Sequence, residues 1–201
     1  MFEQSIGYIL QIATIAITLS LGLLTAAQTR KLQHGQNIIS VTTKYRMDRS
    51  EQLRLSSEQL LTNTAPDLLT LDPGKSHDML LKAEEAVCRI GVILHRNFQR
   101  DGELITMAEN IRNAALSYVK LASGPNDAAC RKAHAHLEYL RQIYMVKVDI
   151  YTSADWWRIK KETEGINTSS QEWIDYYATI EEQFAQQMEQ ARITYKKACD
   201  E

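Results

Sequence analysis

No charged residue occurs between Gln4 and Thr29, and the stretch from Ile6 to Ala27 is dominated by Ile, Leu, Ala and Thr. At about 1.5 Å of rise per residue, a helix of that length exceeds the ~30 Å hydrocarbon layer of a bilayer. The run predicts one transmembrane helix within residues 1–29. A cleaved signal peptide is the rival reading, with Thr25-Ala26-Ala27 as a small-residue cleavage site. Against it, Glu3 and no Lys or Arg precedes the run, and the run is longer than the roughly 7 to 15 residues of a signal-peptide core.

Flanking charge sets the direction of the anchor. Arg30, Lys31, Lys44 and Arg46 follow it, whereas Glu3 and the amino terminus precede it. Positive flanks stay on the cytoplasmic side, so the sequence predicts a single-pass protein of the bacterial inner membrane. Its N-terminus faces out, and residues 30–201 form a cytoplasmic domain. Cys88, Cys130 and Cys199 lie far apart without a C-x-x-C spacing, which fits thiols in a reducing compartment and not a disulfide framework. Arg30, Lys31, Lys44, Arg46 and Arg49 form a membrane-proximal basic patch. Such a patch is expected to touch anionic headgroups, at about 1 kcal/mol per well-placed cation.

Within the anchor, Gly7, Gln11, Thr14, Thr18, Gly22 and Thr25 are spaced three or four apart and share one side of a helix. Small and hydroxyl-bearing residues let helix backbones approach closely in lipid, and Gln11 can hydrogen-bond to a copy of itself. The stripe predicts self-association. In a larger ring the same stripe would face water, and in a lone anchor it would be tolerated as ordinary membrane-helix composition.

Beyond the anchor, 8 glycines and 3 prolines in 201 residues argue against a turn-rich β fold. Apolar positions keep a helical period, with few punctuation points. A first helix is predicted from about Gln28 to Thr62, stopping ahead of Pro66. Asp72-Pro73-Gly74 reads as a turn, and Ser76 as the cap of a second helix to about Phe98. Asp101-Gly102 opens a third helix to about Ala122. A fourth runs from about Asp127 to Glu164 and closes at Gly165. Ser169 or Ser170 caps the last, which carries Trp173, Tyr177, Ile180, Phe184, Met188 or Gln187, Ala191, Tyr195 and Ala198 as a heptad-like seam for antiparallel packing. The predicted class is all-α: one N-terminal transmembrane helix followed by a cytoplasmic bundle of four or five helices.

Catalytic chemistry is not legible in this chain. No nucleophile elbow, phosphate-cradling glycine loop or zinc-deaminase pattern occurs, so no catalytic residue and no cofactor is assigned. Cys130 and His134 sit four apart, but His136 points to another side and nothing completes a ligand set, so no metal site is assigned either. The formal charge of -2 gives no overall attraction to nucleic acid. One aromatic and basic cluster stands out: Trp156, Arg158, Lys160 and Lys161. Adjacent tryptophans on a helix diverge by about 100°; heptad spacing from Ile143 and Ile150 assigns Trp157 to the core and leaves Trp156 at its edge. The edge Trp with its cations suits docking of a protein or ribonucleoprotein partner, while two tryptophans covering the seam beside solvated lysines is the plainer account.

Three spaced segments carry a family resemblance: Thr43, Arg46, Met47 and Arg54; Asp101, Leu104 and Ile105; Tyr151, Trp156, Lys160 and Glu162. Together with the apolar N-terminal helix they resemble small bacterial membrane-anchored helical proteins met as effectors of anti-phage defence systems, including retrons. Arg49 stands where that group usually has Trp. The resemblance implies a non-enzymatic, toxin-like effector that acts on the bilayer by assembling its transmembrane helices on release from a partner. A membrane-tethered scaffold or adaptor that localises a partner is the alternative.

Overall fold

Proline at the first position of a helix loses no hydrogen bond and presets the backbone angle, and two of this chain's prolines start helices. The computed structural model describes residues 25, 26, 28–30, 40–71, 73–124, 126–166 and 168–200, and every regular element among them is helical. The chain divides into two compact units, Met1–Lys44 and Tyr45–Glu201. In the first unit, the described residues 25, 26, 28–30 and 40–44 are helical. Thr25 is exposed, and its carbonyl accepts the Thr29 hydroxyl at 2.8 Å. Gly7, Gln11, Thr14, Thr18 and Gly22, with most of the predicted anchor, lie outside the described residues, as does Lys31. Among the described residues no helix is long and apolar enough to cross a membrane.

The second unit opens with α1, residues 45–63, and continues with α2 (Pro66–Leu71), α3 (Pro73–Ile93), α4 (Gln99–Ala122), α5 (Asp127–Thr163) and α6 (Ser170–Asp200). The short α2 is an element beyond those expected: Pro66, the expected stop of the preceding helix, also opens a new one. For the same reason the expected Pro73-Gly74 turn is the first turn of α3. Ser76 therefore lies inside α3 and does not cap it. It is buried, and its hydroxyl donates to the Leu69 carbonyl, stitching α2 to α3.

The expected extension of α3 to Phe98 also fails. Helix α3 stops at Ile93, and the chain turns through His95–Phe98 because the Asp101 carboxylate draws in the His95 N–H at 2.9 Å. Gly102 permits that close return: a Cβ there would stand 3.0 Å from the Arg96 carbonyl oxygen.

Later boundaries follow the local chemistry. Asn126 caps α5 by accepting the Ala129 N–H at 3.0 Å, and Gly165 takes the left-handed conformation after it, at φ +80°. Ser169 and Glu172 form a reciprocal capping box on α6: Glu172 N–H donates to Ser169 Oγ at 3.2 Å and Ser169 N–H to Glu172 Oε2 at 2.6 Å.

Helices α5 and α6 run antiparallel. Tyr139 stacks on Tyr195, Lys147 pairs with Glu181, Tyr151 meets Trp173 edge-on, and Trp157 stacks on Tyr176. Tyr177, Ile180 and Ala191 are buried, with Trp173, Phe184 and Met188 packed at the margin. The core gathers Leu53 and Leu60 of α1, Leu69 of α2, Ile90 of α3, Leu104 and Ile111 of α4, and Leu137, Tyr144 and Ile150 of α5. The Tyr144 hydroxyl meets Ser57 at 2.9 Å inside it, and burial pushes its pKa up to about 12.

Candidate functional site

Apolar burial explains one half of α5. In its C-terminal half, Tyr151, Asp155, Arg158 and Glu162 recur at spacings of four, three and four, which puts four polar side chains on a single inward face. That face meets Arg46 and Arg49 of α1 and Asp101 in the first turn of α4.

Arg49 is the hub. Its Nη2 donates to Asp101 Oδ2 at 2.7 Å and to the Tyr151 hydroxyl at 2.8 Å, and its Nε donates to the Ile93 carbonyl at 3.2 Å. Tyr151 in turn donates to Asp101 Oδ1 at 2.7 Å. With the His95 N–H on Oδ2 at 2.9 Å, the Asp101 carboxylate serves three donors from α1, α5 and the α3–α4 turn. Burial opposes the charge on Arg49, but Tyr151, Asp101 and Asp155 outweigh it and raise its pKa. Burial, with Asp155 next, drives the Tyr151 hydroxyl far above its ordinary value, so it stays a donor.

One turn on, Arg46 pairs with Glu162, whose Oε1 also lies 3.5 Å from Arg158 Nε. Arg158 reaches further, donating to the Thr168 carbonyl at 3.5 Å. Burial and the neighbouring Arg158 lower the pKa of Arg46. Glu162 Oε2 is buried with no hydrogen-bond partner among the described residues. Asp155 lies between the two pairs. Burial raises its carboxyl to about 6, with Asp101 adding to the rise and Arg49, Arg158 and Arg46 opposing it.

These positions correct part of the expected site. Arg46 and Arg49 are not free for headgroups, because buried carboxylates hold their guanidiniums. Of that basic patch, Arg30 and Lys44 are exposed. In the expected docking cluster Arg158 turns inward to Glu162, since it shares the face of Tyr151 and Asp155. Trp156 is 58% exposed and Lys160 is exposed, whereas Lys161 is half-buried. Trp157 is not in the core: it is half-buried, stacked on Tyr176 with ring centres 4.4 Å apart. Trp156, Trp157, Lys160 and Tyr176 line a surface recess of about 530 Å³ together with Thr152 and Ser153. His134 packs edge-on against Tyr118, and His136 lies tilted against Tyr195.

Sequence reasoning does not single out Asp155, and it places Arg49 at lipid headgroups where the structure pairs it with Asp101. The available signal was the 151, 155, 158, 162 spacing, which places ionisable groups where an inward face requires apolar ones. Helical period alone did not say which face of α5 is inward at that end. The chain matches no family model, and no curated protein or solved structure matches it significantly.

Proposed function

We propose that this chain is a membrane-anchored, non-enzymatic effector of bacterial anti-phage defence, held at rest by the helical bundle. Release of α1 from the bundle frees the N-terminal helices to assemble through the Gly7, Gln11, Thr14, Thr18, Gly22 and Thr25 stripe and to permeabilise the inner membrane. The observation that supports it is the way α1 is held. Arg46 and Arg49 lie downstream of the apolar run, and ion pairs with Asp101 and Glu162 fasten them to α4 and α5. Taking such charges out of water costs several kcal/mol per ion, recovered only in good geometry. A contact of this kind gives poor glue and a sharp register: it holds in one arrangement and loses its advantage when shifted.

Membrane permeability in bacteria expressing the full chain tests the reading. Arg49→Glu, which sets like charges together at Asp101, is expected to make cells take up propidium and lose membrane potential. Adding Gln11→Leu, Thr14→Leu and Thr18→Leu is expected to abolish that leak while the protein remains membrane-bound. An abundant, membrane-bound Arg49→Glu protein with intact membranes overturns the proposal. The exposed Trp156 beside Lys160 favours a second reading, a tethered adaptor. In that case Trp156→Ala removes a partner and no variant leaks.

A further inference from the structure

We infer that the outer groove between α1 and α3 is an interface for a second copy of this chain, packed as a two-fold pair with each α3 antiparallel to its counterpart. The pairing goes beyond the reading above and does not depend on it.

Helix α3 carries two rows of apolar residues. Ala83, Ala86, Val87 and Ile90 are buried and form the inner row. The outer row is Leu81, Glu85, Cys88 and Val92, spaced four, three and four, the interval pattern of a seam between helices. Leu81 is 56% exposed, Val92 is 83% exposed, and the Cys88 thiol is free and exposed. Core packing accounts for the first row and leaves the second unexplained. Helix α1 runs antiparallel beside this outer row: Arg49 reaches the Ile93 carbonyl, and Arg89 reaches the Gln59 side chain. The half-exposed Leu55 of α1 joins Cys88 and Val92 in lining a groove of about 570 Å³ between the two helices. Apolar side chains gathered in one groove mark a contact surface, where the same residues scattered singly would not.

Charge identifies the occupant. Glu85 and Arg89 line the same groove, paired at 2.6 Å with both side chains half-exposed, and Arg89 also donates to Gln59 at 3.2 Å. A partner of one net sign loses to one of these charges what it gains from the other. A surface that presents the same two charges in reverse order gains from both. An antiparallel second copy is such a surface. The outer row is symmetric about a point between Glu85 and Cys88. Turning one copy end for end therefore sets Leu81 against Val92 of the second copy, and Glu85 beside Cys88 and Arg89 of the second copy. Two-fold symmetry repeats each of these contacts. The formal charge of -2 per chain leaves little overall repulsion between copies.

Cross-linking of the full chain in detergent micelles tests the pairing, with Cys130→Ser and Cys199→Ser leaving Cys88 as the one thiol. A short bismaleimide is expected to join two copies through Cys88 in a concentration-dependent way. Val92→Asp sets a charge in the apolar row and is expected to cut the product about tenfold. Thermal unfolding is expected to stay unchanged, since that side chain is exposed. Glu85→Arg alone and Arg89→Glu alone set like charges against each other, and each is expected to cross-link about tenfold less. An equal mixture of those two variants is expected to regain most of the unsubstituted yield as mixed pairs. No product from the unsubstituted chain overturns the pairing, and so does a product indifferent to Val92→Asp, which an N-terminal contact alone would give. A mixture that cross-links as poorly as its two components overturns the antiparallel arrangement. A Cys88 that escapes cross-linking in micelles yet is shielded from maleimide in lipid vesicles assigns the row to a lipid surface and overturns the pairing as well.

Discussion

Arg49 binds three segments at once, through Asp101, Tyr151 and the Ile93 carbonyl, so its removal strands buried partners that water cannot reach. Arg49→Met is expected to lower unfolding stability by about 3–5 kcal/mol, checked by denaturant titration of the full chain in micelles. Adding Asp101→Leu is expected to return little of that loss, because the Tyr151 hydroxyl and the His95 N–H lose their acceptor when the carboxylate goes. Asp155 makes the same measurement depend on pH. Its raised carboxyl contributes stability that is present below the unfolded value of 3.8 and is lost as pH rises through about 6. The full difference is about 3 kcal/mol. Asp155→Asn is thus expected to raise the melting temperature at pH 7.5 and to change it little at pH 4. In the core, Tyr144→Phe leaves the buried Ser57 hydroxyl without its 2.9 Å partner and is expected to cost about 1–2 kcal/mol.

Helix ends show which local signals a sequence states without ambiguity. Asn126, Gly165 and Ser169 act alone through backbone bonds or backbone angle, and each sits where its residue type predicts. Gly165→Ala meets open space for its Cβ, so its expected cost of about 1 kcal/mol is purely conformational. Ser169→Ala is expected to cost about as much by loss of the cap; thermal unfolding checks both. Prolines were ambiguous for a physical reason. Pro66 disfavours helix behind it yet favours helix from itself onward, and only the stacking of α2 on α3 decides between the two. The tryptophans separate by element too. Trp156→Ala is expected to leave stability within about 0.5 kcal/mol. Trp157→Ala, which loses the Tyr176 stack, is expected to cost about 1–2 kcal/mol.

At the scale of the whole molecule, the helical class, the order of the long helices and the α5–α6 seam were legible because periodicity reports which residues face inward. The charge cluster was not, because Arg46, Asp101 and Glu162 become neighbours only after α1, α4 and α5 converge, and a charge in sequence reads first as a solvated one. The cluster also has a position with its own consequence. Tyr151, Asp155, Arg158 and Glu162 occupy the last turns of a 37-residue helix, and the connection that follows is exposed at residues 164–166. A protease cutting there would remove the Gly165 stop and let the last turns fray. Glu162 would then reach water and Arg46 would lose its counterion. A single nick in this exposed loop would thus loosen, at a distance, the ion pair that fastens Arg46 of α1 to α5.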